Sequence, residues 1–206
     1  MISESHVRIT KNDLTSNHIH YKTDDATNLV VIFPGGNSSC ERPVLDLLGE
    51  YYLTHQTDVL CVSYVNTYVK DDTYEVLMAK ITSVLHEAIN QVKAHKDYEK
   101  VFYICNSFGN MVSNALKMEY PDMIAKSAYI SPTKDGLRYI SKYPGLTISG
   151  TKDEYLDESI IKELKSGPQD DLMMIEGAAH SLMVEDIFES IDILKAVIKR
   201  IVGYLV

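Results

Sequence analysis

The chain alternates short, nearly continuous apolar runs with longer segments whose apolar residues recur every three or four positions. Few architectures accommodate that alternation. A run rich in Val, Ile and Tyr suits a strand covered on both faces, and a segment of helical period suits a helix lying over it. The pattern therefore predicts a layered α/β domain, with helices on the faces of a mostly parallel central sheet. The strand segments are NLVVIF (28–33), VLCVSYV (59–65), VFYIC (101–105), KSAYIS (126–131), GLTIS (145–149) and DLMMIE (171–176). Near the N-terminus, HIHYKTDDATN (18–28) predicts an added edge strand and turn.

Two helical segments are clearest. Residues 71–95 open with acidic residues, put Val76, Ile81, Val84, Leu85, Ile89 and Val92 on one stripe, and end near Lys93 and His95, which complements the helix dipole. Residues 185–206 repeat the design with Ile187, Ile191, Leu194, Ile198 and Ile201. The polar face of that last segment mixes Glu, Asp, Lys and Arg, so packing on the core is expected rather than lying on a membrane.

At 206 residues the chain suits one domain, 1–206, since single cores stop growing at roughly 250–300 residues. No internal repeat, low-complexity tract or linker interrupts it. The formal charge of −9, with no Lys/Arg cluster, argues against nucleic acid or anionic membrane as a partner. No basic start with an apolar stretch marks a secretory signal, and no run reaches the ~20 apolar residues of a bilayer span, so a cytoplasmic protein is expected. Cys40, Cys61 and Cys105 are an odd number without CxxC spacing, so reduced thiols are expected rather than a disulfide framework or a zinc site.

The segment VFYICNSFGNMVSNALKMEY (101–120) runs from a strand through a corner at Ser107 into an amphipathic helix. A sharp strand-to-helix turn lifts a serine Oγ above the sheet and aims helix-start N–H groups at a reacting oxygen. Small residues are needed two positions either side, and Cys105 and Gly109 stand there. The corner alone is equally compatible with a serine that merely caps the helix.

Two further features bear on the choice. VVIFPGGNSS breaks a strand at Pro34-Gly35-Gly36-Asn37, where glycines expose backbone N–H groups; the rival reading is a plain turn, and neither phosphate-loop pattern is present. After the serine, Asp153 follows the strand ending LTIS, and His180 follows Gly177-Ala178-Ala179 at the end of the next one. Both would lie at the carboxyl edge of the sheet, where open α/β sheets bind ligands. The other histidines, His6, His18, His20, His55, His86 and His95, read as surface or capping residues. The HIH pair at 18–20 reads as the solvent face of the edge strand, and no HExxH or HxH metal cluster is present elsewhere, so no metal and no cofactor are expected.

With these residues the chain resembles the α/β-hydrolase superfamily, and more loosely its small esterases and serine hydrolases, over about residues 28–206. The resemblance implies a three-layer α/β/α sandwich and a catalytic triad in which Ser107 is the nucleophile, His180 the general base and Asp153 the orienting acid. It also implies an oxyanion hole formed by the N–H of Phe108 and that of Gly36, or next Asn37. Glu154 and Asp157 are nearby rivals for the acid. Cys105 stands where the family usually has the first glycine of GxSxG, and Pro34 where many members have histidine. Only residues 132–144 occupy the interval in which many members insert a lid, so an uncapped hydrolase is expected. Tyr64, Tyr68, Tyr139 and Tyr143 are candidates for the mouth of the site or simply packing residues. The implied substrate is a small-molecule acyl ester. The same machinery would serve thioester, amide or acyl-transfer chemistry, and a catalytically silent binding protein is the remaining alternative.

Overall fold

A computed structural model of the chain describes residues 1–11, 14–36, 38–64, 72–140, 142–166 and 171–205, with all their side chains except those of residues 138 and 139. Eight strands form one sheet in the order β1-β2-β4-β3-β5-β6-β7-β8. They are β1 (Ile2–Lys11), β2 (Leu14–Thr23), β3 (Asn28–Phe33), β4 (Thr57–Cys61), β5 (Lys100–Asn106), β6 (Lys126–Ile130), β7 (Leu146–Gly150) and β8 (Asp171–Ile175). β1 and β2 are an antiparallel hairpin, β2 meets β4 antiparallel, and every pairing from β4 to β8 is parallel.

The helices are α1 (Pro43–Leu53), α2 (Tyr74–Lys93), α3 (Phe108–Glu119), α4 (Lys134–Ile140), α5 (Glu158–Ser166) and α6 (Ile187–Leu205). Because side chains alternate across a strand, each central strand feeds two cores. Val31, Phe33, Tyr103 and Cys105 pack with α2 and α3, whereas Val30, Ile32, Ile104 and Ile130 pack with α1 and α6. Adjacent strands β3 and β5 thus lead into helices on opposite faces, and a crevice opens between them at the carboxyl rim, as expected at a topological switch point. The registers Phe33↔Cys105, Asn106↔Ile130 and Gly150↔Ile175 keep the strand ends level, so the turns after β3, β5, β7 and β8 share that rim.

Local signals explain the helix starts. Pro43 opens α1, where its missing N–H costs nothing. Thr73 caps α2 by accepting from the Val76 N–H at 3.4 Å, with Glu75 in the first turn and Lys93 in the last.

Several expectations need correction. The N-terminal segment is a hairpin of two ten-residue strands, and β2 is interior to the sheet because β1 takes the edge. His18 and His20 are buried, at 0% and 2% exposure, with α2 packed against the hairpin. Thr57 and Asp58 belong to β4, whose start pairs Asn28↔Thr57, so that strand lies earlier than 59–65; residue 65 falls outside the described residues. On α6 the buried stripe is Val197, Ile201 and Leu205; of the expected stripe only Ile201 is buried, Leu194 and Ile198 are half-buried, and Ile187 and Ile191 are exposed. Val76 of α2 is also exposed.

Among the described residues, the interval between β6 and β7 holds one short helix, α4, and no cap domain. No helix among them is long and apolar enough to cross a membrane. Cys40, Cys61 and Cys105 are free.

Candidate active site

The turn between β5 and α3 places Ser107 in the left-handed region, at φ 52° and ψ −116°. Such a conformation costs a non-glycine residue about 1–3 kcal/mol and persists only where its surroundings enforce it. Here they do. The Ser107 N–H donates to the Ile130 carbonyl at 2.9 Å. Asn110, fully buried one turn into α3, donates through Nδ2 to both the Ser107 and the Ile130 carbonyls at 2.9 Å. Gly109 permits the corner: a Cβ there would lie 2.2 Å from the Phe33 carbonyl oxygen. Cys105 occupies the other small-residue position, wholly buried in the core shared with α2 and α3, and its burial pushes the thiol up to about 11.

Asp153 and His180 come to Ser107 from the turns after β7 and β8. His180 Nδ1 lies 2.8 Å from Asp153 Oδ2, and Nε2 lies 2.9 Å from Ser107 Oγ. A carboxylate only accepts, so Nδ1 carries the proton and the Nε2 lone pair faces the Ser107 hydroxyl. Asp153 is sealed from solvent, its side chain 0% exposed against 18% for His180, and its second oxygen accepts the Tyr155 N–H at 2.9 Å. The rival carboxylates are engaged elsewhere. Glu154 accepts the backbone N–H of His180 at 3.2 Å, and Asp157 accepts the Ile160 N–H at the start of α5.

The two turns are joined to each other and to the end of β6. Lys152 N–H donates to the Ala178 carbonyl, Gly177 N–H to Thr151 Oγ1, and Ser131 Oγ to the His180 carbonyl at 2.7 Å. Gly150 allows this approach, since a Cβ there would lie 2.0 Å from the Ala178 carbonyl oxygen.

The glycine turn after β3 borders the same place. A Cβ on Gly35 would be 3.5 Å from Ser107 Cβ, and one on Gly36 would be 3.5 Å from Phe108 Cβ. Phe108 is the first residue of α3, where backbone N–H groups have no intrahelical acceptor. Asn37 lies outside the described residues. Around Ser107 and His180 opens a cleft of about 470 Å³, lined also by Arg42, Glu154, Tyr155, Leu182 and Met183.

Several contributors carried little or no sequence signal. Asn110 and Ser131 look like ordinary helix and strand-end residues until the elbow and the histidine turn are in place. Tyr155, 58% exposed with its ring 4.6 Å from that of His180, sits two residues after Asp153, and that proximity was the available clue. Of the tyrosines proposed for the mouth, Tyr64 stands edge-on to Phe108 at 5.5 Å, whereas Tyr143 packs against Lys117 well along α3. Tyr68 and the side chain of Tyr139 lie outside the described residues. Among the described residues no group of three or more His, Cys, Asp or Glu side chains is placed to hold a metal ion.

No protein-family model matches the chain, and no curated protein sequence does. Solved structures do resemble it throughout. A cold-adapted esterase from an Arctic intertidal metagenomic library matches with a TM-score of 0.74 at 10% identity, covering 100% of this chain and 95% of that one. A dienelactone hydrolase from Anabaena variabilis ATCC 29413 matches with 0.69 at 16%, covering 100% and 99%. An alpha-beta serine hydrolase homologue from Coxiella burnetii matches with 0.67 at 14%, covering 95% and 96%. At these identities the likeness establishes a shared fold.

Proposed function

We propose that this chain, which has the α/β-hydrolase fold, is a serine hydrolase of carboxylic esters, with Ser107 as nucleophile, His180 as general base and Asp153 as orienting acid. The observation that carries this reading is the unbroken relay from Asp153 Oδ2 through the imidazole to Ser107 Oγ, with contacts of 2.8 and 2.9 Å. A serine hydroxyl needs such a base to attack a carbonyl.

In the proposed reaction, Oγ bonds to the carbonyl carbon as its proton passes to His180 Nε2, and the charge moves to the carbonyl oxygen. The N–H groups of Phe108 and Gly36 are the proposed donors to that oxygen, with Asn37 next to Gly36 as the alternative. Collapse breaks the bond to the leaving alkoxide, which takes the Nε2 proton and departs as the alcohol. A water then gives its proton to Nε2, attacks the acyl-serine, and releases the acid as Ser107 regains its hydrogen. Asp153 stabilises the imidazolium at each stage without taking its proton.

The proposed partner is a small-molecule acyl compound, with neither nucleic acid nor membrane, and the proposed compartment is the cytoplasm; the net charge of −9 supports the first point. Thioesters, amides and acyl transfer use the same steps and are the next readings, ahead of a silent binding protein. A fluorophosphonate probe tests the proposal. It should label the protein at Ser107 and not Ser107→Ala; an unlabelled protein that binds ligand without turnover supports the silent alternative instead.

A further inference from the structure

Helix α6 carries more apolar surface than the core takes up. Besides its buried stripe, Ile191, Leu194, Ile198 and Val202 recur at helical spacing along a second line. That line faces a matching one on α1, Pro43, Leu47 and Tyr51, across an open groove of about 750 Å³. Leu47 is 49% exposed and Ile191 54%, so neither is explained by the core. No residue lining the groove is acidic, and Lys195 and Lys199 on its flank can extend the apolar wall with their stems.

The groove adjoins the cleft above Ser107, for Pro43 and Leu194 line both. α1 starts after the glycine turn and α6 after the histidine turn, so both helices lead away from the catalytic rim side by side. From Pro43 to Tyr51 the groove follows about 12 Å of helix at ~1.5 Å per residue, roughly the extended length of an acyl chain of eight to ten carbons.

We propose that this groove holds the straight acyl chain of the substrate, which makes the enzyme a medium-chain acyl ester hydrolase. The inference rests on the serine hydrolase reading above. The acyl part is assigned to the groove because it stays bonded to Ser107 through both half-reactions, so chain burial stabilises the intermediate without delaying departure of the alcohol, which must remain beside His180 to be protonated.

The test compares kcat/KM for 4-nitrophenyl esters of two, four, eight and twelve carbons. Full burial of a methylene is worth about fourfold, and an open groove about half that free energy, or twofold. The expected rise is therefore roughly 50-fold from the two-carbon to the eight-carbon ester, with little gain beyond ten carbons. The double variant Leu47→Asp, Ile191→Asp should bring the ratio of eight-carbon to two-carbon ester close to one while fluorophosphonate still labels Ser107. A flat or falling profile in a protein that labels at Ser107 and cleaves the two-carbon ester overturns the groove assignment and leaves the hydrolase reading standing. So does a preference that survives in the double variant, a rise that follows alcohol length at a fixed acetyl group, or a dimer by light scattering that the double variant abolishes. If no ester is cleaved, calorimetry with dodecanoate on Ser107→Ala decides the groove separately: at least tenfold weaker binding in the added double variant supports it, and equal binding or none overturns it.

Discussion

Nε2 of His180 stands 2.9 Å from Oγ of Ser107 although 73 residues separate them in the chain. Their strands, β5 and β8, have two others between them, so the strand ends are about 14 Å apart at the ~4.8 Å spacing of neighbouring strands. The turn after β8 must therefore lean back across the ends of β7 and β6. The hydrogen bonds from Lys152 to Ala178 and from Ser131 to His180 hold it there.

Ser107→Ala should lower kcat for 4-nitrophenyl acetate by roughly 10⁴-fold or more, and Asp153→Asn by about 10⁴-fold, because an Asn can hold the wrong tautomer of His180. Ser107→Gly should be inactive yet more stable by about 1 kcal/mol in denaturant titration, as glycine adopts φ 52° without strain.

Gly150→Ala places a methyl against the Ala178 carbonyl and must push the histidine turn outward. We expect kcat to drop at least tenfold, since misplacement of about 1 Å can cost as much as 100-fold, with a stability loss of about 1–3 kcal/mol in urea. A variant with unaltered kcat would show that the turn can shift without moving the imidazole.

The buried His18 imidazole should make the fold acid-sensitive. Ser16 Oγ lies 2.7 Å from its Nε2, and its Nδ1 accepts the Ser63 N–H at 3.1 Å. Burial lowers it from 6.5 to about 4. Between those values the unfolded chain binds the proton and the folded one does not, so stability falls as pH drops from about 6.5 to 4, by at most about 3 kcal/mol. Urea titrations across that window should show the slope in the parent and a smaller one in His18→Gln.

Lys117 should act at the other end of the pH scale. Its ammonium is buried, donating to Ser127 Oγ at 2.6 Å and Tyr129 Oη at 2.9 Å among the rings of Tyr103, Tyr129 and Tyr143. Burial lowers it from 10.5 to about 8. Above pH 8 the folded state loses this proton before the unfolded one does, so stability should rise by about 1 kcal/mol between pH 8 and 9. At higher pH the buried Cys105 thiol, raised to about 11, acts in the opposite sense. Lys117→Met should abolish the rise and be at least as stable at pH 7, because Ser127 and Tyr129 keep other partners in Ala125, Asn114 and Tyr143.

Much of this protein is legible in its one-dimensional pattern. Buried parallel strands must be apolar on both faces, so six of the eight strands stand out from the apolar pattern alone, as does the order of serine, aspartate and histidine, each behind its own strand end. Turn chemistry is local too, and Gly109, Gly35 and Gly36 mark their corners directly. What depends on neighbours distant in the chain was not legible. His18 and His20 alternate as a solvent-facing pair would, and they are buried because α2 packs against the hairpin. Ile187 and Ile191 keep a core-like helical period yet remain exposed, because the sheet offers α6 only one narrow face and Val197, Ile201 and Leu205 fill it. Periodicity reports which side chains share a side of an element. What that side meets, and whether three remote turns close to hydrogen-bonding distance, is settled by long-range pairing and packing.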